Sequence, residues 1–158
     1  MEITIKQAEI TEIDQLMTWR MEVLRNVFML PADYDIQPLY SANREYYINS
    51  IPSGNHIAVF ANIGETTVGC GGICLYSEMP SPDNPSGKCA YLMNIYTEEK
   101  YRKKGVGKAV VRYLVEKAQA QGITKIYLET SGCGRTLYEG LGFQDMTDYM
   151  KLTENCHE

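Results

Sequence analysis

The sequence predicts a mixed α+β domain with a mostly antiparallel central sheet and helices on both of its faces. Two observations support this class. The first half of the chain reads as strands joined by tight turns, with two helical segments between the first and second strands. The second half holds a strand, a glycine-containing loop, an amphipathic helix and another strand, which is the order of a parallel βαβ unit. The predicted sheet is therefore antiparallel at its start and parallel at its end.

The elements of the first half follow from hydrophobic periodicity and from turn residues. In chain order, the prediction is a strand over 3–9, a helix over 11–28, a helix over 39–50, and strands over 56–62 and 66–76. The turn Ile63-Gly64-Glu65 joins the last two strands into a hairpin. A loop over 78–87 follows, in which three prolines prevent a regular element.

The second half is built around one amphipathic helix. Its apolar residues recur every four positions from Val106 to Ala118, so they form one face of a helix that ends at Gly122. An apolar and aromatic strand, Cys89–Tyr96, precedes this helix, and residues 123–130 form a strand after it. A crossover helix between two strands predicts that the strands lie parallel.

The loop before this helix, Tyr101–Lys108, is the most informative segment of the chain. It places two glycines and four basic side chains at a helix N-terminus, where unpaired N–H groups and the helix dipole attract anions. Pyrophosphate is the anion that this combination suits best. A Walker A loop is disfavoured because Arg102 replaces its first glycine and Ala109 replaces its hydroxyl residue. A dinucleotide-binding loop is disfavoured because Val110 replaces its third glycine.

Two motifs together resemble the GNAT superfamily of N-acetyltransferases. The first is the Arg-x-x-Gly-x-Gly pattern over 102–107, and the second is the segment 131–143, which ends in Leu-Tyr-Glu-Gly-Leu-Gly-Phe. Residues 150–152 also resemble the closing strand of that superfamily. The resemblance implies a sheet of six to seven strands in the order β-α-α-β-β-β-α-β-α-β. It also implies transfer of an acetyl group from acetyl-coenzyme A to a primary amine, by direct attack in a ternary complex.

The resemblance assigns cofactor-binding roles to the first motif and to the strand before it. Backbone groups of Ile95, Tyr96 and Thr97 would hold the pantetheine arm between two separating strands, and the Ile95 N–H would stabilise the oxyanion. Arg102 would brace the loop. The pyrophosphate would rest on backbone N–H groups of the loop and the first helical turn, which belong to Lys103, Lys104, Gly105, Val106, Gly107 and Lys108.

The second motif supplies the remaining residues that the resemblance implies. Tyr138 would return a proton to the departing thiolate, because the pKa of a phenol lies close to that of a thiol. Ser131 stands where many relatives carry an asparagine, and its hydroxyl would cap the short helix and reach the cofactor. Arg135 would bring another positive charge to the cofactor.

The sequence leaves the general base and the acceptor open. The strand 89–96 contains no carboxylate, so Glu22, Glu78, Glu129 and a water relay all remain candidates. The acceptor pocket is expected between the first two helices and the 77–87 loop, where tyrosines are frequent. The missing strand acid also keeps a second function open, a catalytically weak or inactive coenzyme A sensor or interaction module.

Composition narrows the class of protein further. The 158 residues predict one domain over 1–153 and a short tail over 154–158. A net charge of −5 argues against a nucleic-acid partner, and no membrane span or secretory leader is visible. Five cysteines and two histidines at these spacings predict reduced thiols and no metal site. The expected protein therefore acts in the cytoplasm on a small amine or a peptide N-terminus, with a homodimer left open.

Overall fold

The structure is a computed structural model that describes residues 1–154. The strands are β1 (Ile3–Gln7), β2 (His56–Ile63), β3 (Thr66–Ser77), β4 (Lys88–Thr97) and β5 (Lys125–Leu128). The helices are α1 (Ile13–Val27), α2 (Gln37–Ser50), α3 (Val106–Ala120) and α4 (Arg135–Gly140), with 3-10 turns at Ile10–Glu12 and Glu99–Tyr101. Residues 155–158 lie outside the described residues, and with them Cys156, His157 and most of the tail expected at 154–158.

The strands form one sheet in the order β1-β2-β3-β4-β5. Every neighbouring pair is antiparallel except β4 and β5, which run parallel on either side of the α3 crossover. The mixed, mostly antiparallel class predicted from the sequence is therefore confirmed. Among residues 1–154, no helix is both long and apolar enough to cross a membrane.

The two faces of the sheet carry separate cores, because neighbouring residues of a strand point to opposite sides. On β2, Ile57, Val59 and Ala61 belong to the core that includes α3. The intervening residues Ala58 and Phe60 belong to the core that includes α1 and α2. Helices therefore cover both faces, as the sequence predicted.

The helix α3 lies close to the sheet because glycines of β3 lie beneath it. A Cβ atom at Gly71 would lie 2.4 Å from Val110 Cγ1, and one at Gly69 would lie 3.1 Å from Val106 Cγ1. Both valines are almost completely buried. Because Gly69 pairs with Thr97, this contact fixes the N-terminus of α3 above the end of β4.

The strand β4 is irregular near its end. Its register with β3 shifts between Cys70 and Gly72, so that Asn94 and Ile95 lie opposite the single residue Gly71. Asn94 has a φ of 61°, a left-handed value that asparagine adopts more readily than most residues. The bulge changes the direction of the β4 backbone shortly before the predicted cofactor-binding residues.

The strands β4 and β5 separate before β4 ends. Their parallel ladder covers only residues 89–92 of β4, whereas β4 continues to Thr97. No strand within residues 1–154 pairs with residues 93–97 on that side. This leaves an open gap beside the last residues of β4.

The predicted number of six to seven strands is wrong for the described residues, which form five. Residues 150–152, expected as the closing strand, form no strand. Met150 is fully exposed and Leu152 is 90% exposed, so the segment lacks the buried face and the paired neighbour that a strand needs. Asp148 has a φ of 69°, which interrupts an extended backbone just before this segment.

Candidate functional site

The predicted anion loop has the backbone geometry of a binding site at a helix N-terminus. Gly105 is the N-cap residue of α3 with a φ of 88°, a value that favours glycine, and Lys103 has a φ of 58°. The bond from Ala109 N–H to the Gly105 carbonyl, at 3.0 Å, is the first of the helix, so the N–H groups of residues 106–108 have no helical acceptor. A Cβ atom at Gly105 would meet only Ile3 Cδ1, at 3.9 Å, so the space above the loop is open.

The positive charge of the loop is not neutralised by carboxylates. Within residues 1–154, no carboxylate lies within 4 Å of the loop's basic side chains, which are Arg102, Lys103, Lys104 and Lys108. Arg102 Nε donates a hydrogen bond to the Thr97 carbonyl at 3.0 Å, and its guanidinium lies 5.6 Å from the centre of the Tyr96 ring. Arg102 therefore connects the loop to the end of β4.

Backbone groups of β4 point into the gap beside β5. The Glu98 N–H donates to the Val68 carbonyl on β3 at 3.0 Å, so by strand alternation the backbone of Tyr96 also faces β3. The N–H and carbonyl groups of Ile95 and Thr97 then point to the side that β5 leaves open. Ile95, Thr97 and the N-terminus of α3 therefore lie at the same end of the sheet.

Tyr138 lies on α4, close to the start of α3. Its neighbour Leu137 covers the first turn of α3, because a Cβ atom at Gly107 would lie 3.2 Å from Leu137 Cδ2. The Tyr138 ring packs edge-on against Phe143, with centroids 5.8 Å apart, and lines a cavity of about 530 Å³ between α3, β5 and α4. Burial raises the pKa of the Tyr138 phenol, so this group stays protonated at neutral pH.

Ser131 and Arg135, the other residues assigned to the second motif, make contacts that the sequence did not predict. The Ser131 hydroxyl does not cap α4, which follows the N-cap residue Gly134 and has no side-chain cap. The capping expectation is wrong because the Ser131 carbonyl, not its hydroxyl, accepts the Gly134 N–H at 3.2 Å. Arg135 Nη1 lies 2.7 Å from Asp145 and 3.3 Å from Glu139, and these carboxylates raise the pKa of its guanidinium.

Glu78, one candidate base, lies far from the gap. It follows β3 at the sheet end where β4 begins, so a strand of this length separates it from Ile95 by roughly 20 Å. Lys125 Nζ donates to both Glu78 oxygens, at 2.9 and 3.0 Å, and these hydrogen bonds hold the pKa of Glu78 below its ordinary value. Glu78 is therefore a structural ion-pair partner and cannot take a proton at the gap.

Glu22 and Glu129 lie nearer to the gap than Glu78. Glu22 is exposed on α1, accepts a hydrogen bond from Asn26 Nδ2 at 3.0 Å, and adds its charge to the burial that raises the pKa of Tyr96. Glu129 follows β5 directly and adds its charge to the burial that raises the pKa of Tyr91. Both carboxylates are exposed, so water reaches them.

A second cavity, of about 170 Å³, lies on the opposite face of the sheet beneath α1 and α2. Its lining includes Arg20 from α1, Asn43 and Tyr46 from α2, His56 from β2, and Met93 and Asn94 from β4. The first two helices therefore cover it, as expected for an acceptor pocket. The expected contribution of the 77–87 loop is wrong for this cavity, because that loop follows β3 at the far end of the sheet.

Arg20 organises the polar side of this cavity. Its Nε donates to Asn43 Oδ1 at 2.8 Å, and its Nη1 donates to Asn94 Oδ1 at 3.0 Å. Arg20 is partly buried, and no carboxylate within residues 1–154 lies within 4 Å of it. Asn94 is the bulge residue that directly precedes Ile95, so the network connects α1 and α2 to the gap in the sheet.

His56 forms the floor of the same cavity and is only 4% exposed. The Tyr46 hydroxyl lies 2.8 Å from His56 Nδ1, whereas Nε2 has no hydrogen-bond partner in the described part of the chain. The ring fits because residue 72 is glycine: a Cβ atom there would lie 2.7 Å from Nε2. Burial, assisted by the charge of Arg20, lowers the pKa of His56 to about 4, so the imidazole is neutral at pH 7.

The sequence assigned no site role to the four polar residues that shape this cavity, which are Arg20, Asn43, His56 and Asn94. A signal existed for two of them. Arg20 lies three residues after Met17 and four before Leu24, on the apolar face of α1. Asn43 lies four residues before the buried Tyr47 on α2. A polar residue inside an apolar stripe points to a polar cavity.

Three tyrosines extend this face of the sheet beyond the cavity. The hydroxyl groups of Tyr76 and Tyr127 are hydrogen-bonded to each other, and the Tyr91 ring lies 4.9 Å from the Tyr127 ring. The tyrosines expected around the acceptor were Tyr34, Tyr40, Tyr46, Tyr47 and Tyr76. Tyr46 and Tyr47 line the cavity, and Tyr76 belongs to this outer surface. The face next to the gap is therefore aromatic and partly polar.

Comparison with known proteins adds a family and relatives. The sequence profile described as the Acetyltransferase (GNAT) family matches residues 13–143. N-acetyltransferase 8B of Rattus norvegicus is 37% identical over 93 residues, which cover 56% of this chain and 40% of that protein. N-alpha-acetyltransferase 30 of Saccharomyces cerevisiae is 30% identical over 115 residues, which cover 70% of this chain and 64% of that protein. The chain thus spans less than two thirds of the length of these relatives.

A solved structure extends the similarity to nearly the whole chain. A predicted acetyltransferase from Clostridium acetobutylicum, determined with acetyl-CoA, superposes with a TM-score of 0.87 and is 25% identical. The superposition covers 99% of this chain and 100% of that chain. The overall fold therefore recurs in a protein whose structure was determined with this cofactor.

Proposed function

Because the chain belongs to the GNAT acetyltransferase family, we propose that it transfers the acetyl group of acetyl-coenzyme A to a primary amine by direct attack in a ternary complex. Family membership makes the protein an acyltransferase. The acceptor in this proposal is a small molecule or a peptide N-terminus. Support for an amine comes from the name of the yeast relative, an N-alpha-acetyltransferase, and support for the cofactor comes from the acetyl-CoA in the Clostridium structure.

The observation that carries this proposal is the gap beside the end of β4. The backbone groups of Ile95 and the N–H of Thr97, which face the gap, lie near the N–H groups of residues 106–108, which have no helical acceptor. An extended arm joined to a pyrophosphate fits this pair of features, because the arm replaces a missing strand and the phosphates meet the helix N-terminus. Bound acetyl-coenzyme A would supply a thioester carbonyl as electrophile and a thiolate as leaving group.

The loop residues bind the anionic part of the cofactor. Backbone N–H groups of residues 103–108 would face the phosphates, and the uncompensated side-chain charges would increase the attraction. Arg102 holds the loop against Thr97, so its role is to position the loop. Ser131 is exposed and accessible to the cofactor, whereas Arg135 would first have to leave Asp145.

The Ile95 N–H stabilises the negative charge that develops on the thioester oxygen. The bulge at Asn94 and the loss of the β5 partner turn this group into the gap. A fixed backbone donor of this kind needs no reorganisation during the reaction. The Tyr96 backbone faces β3, so the backbone role expected for Tyr96 does not fit the gap; its ring lies against Arg102, which holds the loop.

Tyr138 supplies the proton that the leaving thiolate needs. Burial keeps its phenol in the protonated form, which is the form of a proton donor. The amine must also lose a proton, and β4 carries no acid for this task. Glu22 and Glu129, both exposed, would accept that proton through water without being indispensable.

A matched pair of glycine variants tests cofactor binding. In Gly105→Asp, a side chain and a negative charge occupy the place where the backbone meets phosphate, so acetyl-coenzyme A should no longer raise the melting temperature. In Gly64→Asp, the same change is made at a hairpin turn with a similarly positive φ of 60° and no heavy atom within 4 Å of the new Cβ. The control should keep the shift of the wild type.

Turnover is measured separately, as thiol release from acetyl-coenzyme A with a panel of amines. Thiol release with at least one amine supports the proposed transferase activity. No melting shift for the wild type at millimolar cofactor would overturn the cofactor assignment, and so would full binding by a folded Gly105→Asp protein. Binding without release for any amine would favour the second candidate, a coenzyme A sensor or interaction module, which the absence of an acid in β4 supports.

The proposal also covers the domain organisation, the compartment and the oligomeric state. We infer one catalytic domain over 1–153 that acts in the cytoplasm, either alone or as a homodimer. The described cysteines, Cys70, Cys74, Cys89 and Cys133, are free thiols, which fits a reducing compartment. Size-exclusion chromatography with light scattering would decide between monomer and dimer.

A further inference from the structure

We propose that Arg20 binds a carboxylate of the acceptor, and that the acceptor is a free amino acid whose reacting amine lies a few atoms from that carboxylate. The inference rests on the proposed acetyl transfer, because it names the substrate class of the same site. It concerns the cavity beneath α1 and α2, on the face of the sheet opposite α3. A carboxylate bound there would pair with the Arg20 guanidinium, which has no carboxylate of residues 1–154 within 4 Å.

The first argument is the charge of Arg20. A partly buried guanidinium is costly unless an anion accompanies it, and the side-chain acceptors that Arg20 has within residues 1–154 are two neutral amide oxygens. The residues named as lining this cavity include no aspartate or glutamate. A cationic acceptor such as a polyamine would therefore meet repulsion from Arg20 without any compensating charge.

The second argument is the geometry of the guanidinium. Nε donates to Asn43 on α2 and Nη1 donates to Asn94 on β4, which orients the planar group between these two elements. Nη2 makes no hydrogen bond to any of residues 1–154, and a guanidinium carries five N–H donors in all. Donors thus remain for a carboxylate, which Arg binds in a planar and often bidentate manner.

The third argument is the position of Arg20 relative to the reaction centre. Arg20 contacts the side chain of Asn94, and the next residue, Ile95, carries the N–H proposed to stabilise the oxyanion. A carboxylate on Arg20 would therefore place a nearby amine at the gap in the sheet. An α-amino acid has this short separation between amine and carboxylate.

The fourth argument is the size and polarity of the cavity. Its volume of about 170 Å³ is smaller than the roughly 300–1,000 Å³ typical of pockets for drug-sized ligands. Met93 and Tyr46 give it an apolar part, and the His56 imidazole, which is neutral at pH 7, adds no charge. A small amino acid fits these limits. A peptide N-terminus has an uncharged amide in the position of the carboxylate and fits them less well.

The test compares each of the common amino acids with its carboxamide and with a dipeptide that begins with the same residue. The rate constant kcat/KM is expressed per free amine, because the amine pKa differs among the three. For the best acceptor we expect the carboxylate to be preferred over the carboxamide and the dipeptide by roughly 10- to 100-fold. Arg20→Gln should remove that preference, because kcat/KM should fall by at least about tenfold more for the amino acid than for its carboxamide.

Two further variants control for charge and for folding. Arg25→Gln removes an exposed charge from the same helix and should leave the preference unchanged. Arg20→Lys keeps the charge but loses the planar fork, so it should retain only part of the preference. Melting temperature and acetyl-coenzyme A affinity are measured for each variant. If Arg20→Gln does not fold, the wild-type preference and the Arg20→Lys variant still decide the question.

Equal use of amino acids and their carboxamides by the wild type would overturn the inference. So would an equal loss on both acceptors in a folded Arg20→Gln protein that binds the cofactor normally. These outcomes differ from failure of the proposed function, which would show as no thiol release with any amine in the panel. Turnover of polyamines or peptides without a preference for carboxylates would refute the amino-acid acceptor and leave acetyl transfer standing.

Discussion

Different parts of the chain build two sides of this sheet: the proposed cofactor side, which is the anion loop with the gap, and the proposed acceptor side, which is the cavity beneath α1 and α2. The anion loop is a continuous segment, 101–108, and its proposed ligands are mostly backbone N–H groups. The cavity beneath α1 and α2 is built from side chains of several elements, including Arg20, Asn43 and His56. The first surface needs glycines and a helix start, and the second needs particular polar groups brought together by packing.

This difference predicts that the two sides can change independently of each other. In the proposed binding mode the ligands of the pyrophosphate are backbone N–H groups, so side chains of the loop can change as long as the glycines and the helix start remain. The acceptor side can change one side chain at a time without disturbing that loop. Changes on the cofactor side should therefore affect every acceptor alike, and changes on the acceptor side should affect the choice among acceptors.

The largest effect that tests this division is expected at Tyr138. Tyr138→Phe removes the proposed proton donor but keeps the ring against Phe143, so turnover should fall roughly 10- to 1,000-fold while cofactor affinity stays unchanged. The loss should be the same for every acceptor, because proton return to the thiolate does not depend on the amine. The measurement is turnover with two dissimilar amines, together with binding of acetyl-coenzyme A. Unchanged turnover when chemistry limits the rate would make Tyr138 a packing residue.

The next effect concerns His56 on the acceptor side. Its pKa is about 4 in the folded protein and 6.5 ordinarily, so the unfolded chain binds more protons between these values. Stability from the neutral imidazole is fully present above pH 6.5 and is lost as the pH falls towards 4, by about 3 kcal/mol at most. The titratable groups facing the ring are Arg20, Tyr46, Tyr47 and Cys74, and none of them is a carboxylate that would hold the charged form.

The measurement for His56 is the free energy of unfolding of the wild type and of His56→Gln at several pH values from 4 to 7. The variant should show a smaller decline than the wild type across this window. Carboxylates contribute to both proteins, so the difference between the two curves isolates the imidazole. Two parallel curves would show that His56 titrates normally in the folded protein.

The sequence predicted the turn at Gly105 and the helix α3 well because the signals for both are local. The spacing of Val106, Val110 and Leu114 marks the apolar face of α3, and those residues are buried against the sheet. The glycines before them mark the turn, and Gly105 has the positive φ that such a turn requires. Neither feature depends on a distant part of the chain.

The sequence predicted the acceptor side poorly because its features depend on tertiary contacts. Asn94 lies in a segment that reads as an ordinary strand, and only pairing with β3 reveals the bulge and its contact with Arg20. The closing strand expected at 150–152 is absent for a related reason. Its residues suit a strand locally, but a strand forms only where a neighbour pairs with it.

A smaller effect should show how strongly the cofactor side depends on close packing. Gly71→Ala would place a Cβ atom 2.4 Å from Val110 Cγ1 and 3.0 Å from Ile95 Cδ1, so α3 or β4 must shift. The expected loss of unfolding free energy is about 1–3 kcal/mol, measured by denaturant titration. Gly132→Ala is the control, since no heavy atom lies within 4 Å of its new Cβ. Equal stability of the two variants would mean that the helix adapts at no cost.

The smallest effects are expected for the carboxylates that border the gap. If water carries the proton away from the amine, Glu22→Gln and Glu129→Gln should each keep kcat within about threefold of the wild type, because neither acid is required. The rate should still rise with pH, following the free-amine fraction of the acceptor. Glu78→Gln should also retain activity but lose its ion pair with Lys125. A loss of roughly 100-fold in one variant alone, with cofactor binding intact, would identify a dedicated base. A dedicated base on α1 would lie on the acceptor side. Changes on that side would then affect catalysis for every acceptor, and the proposed division between the two sides would be wrong.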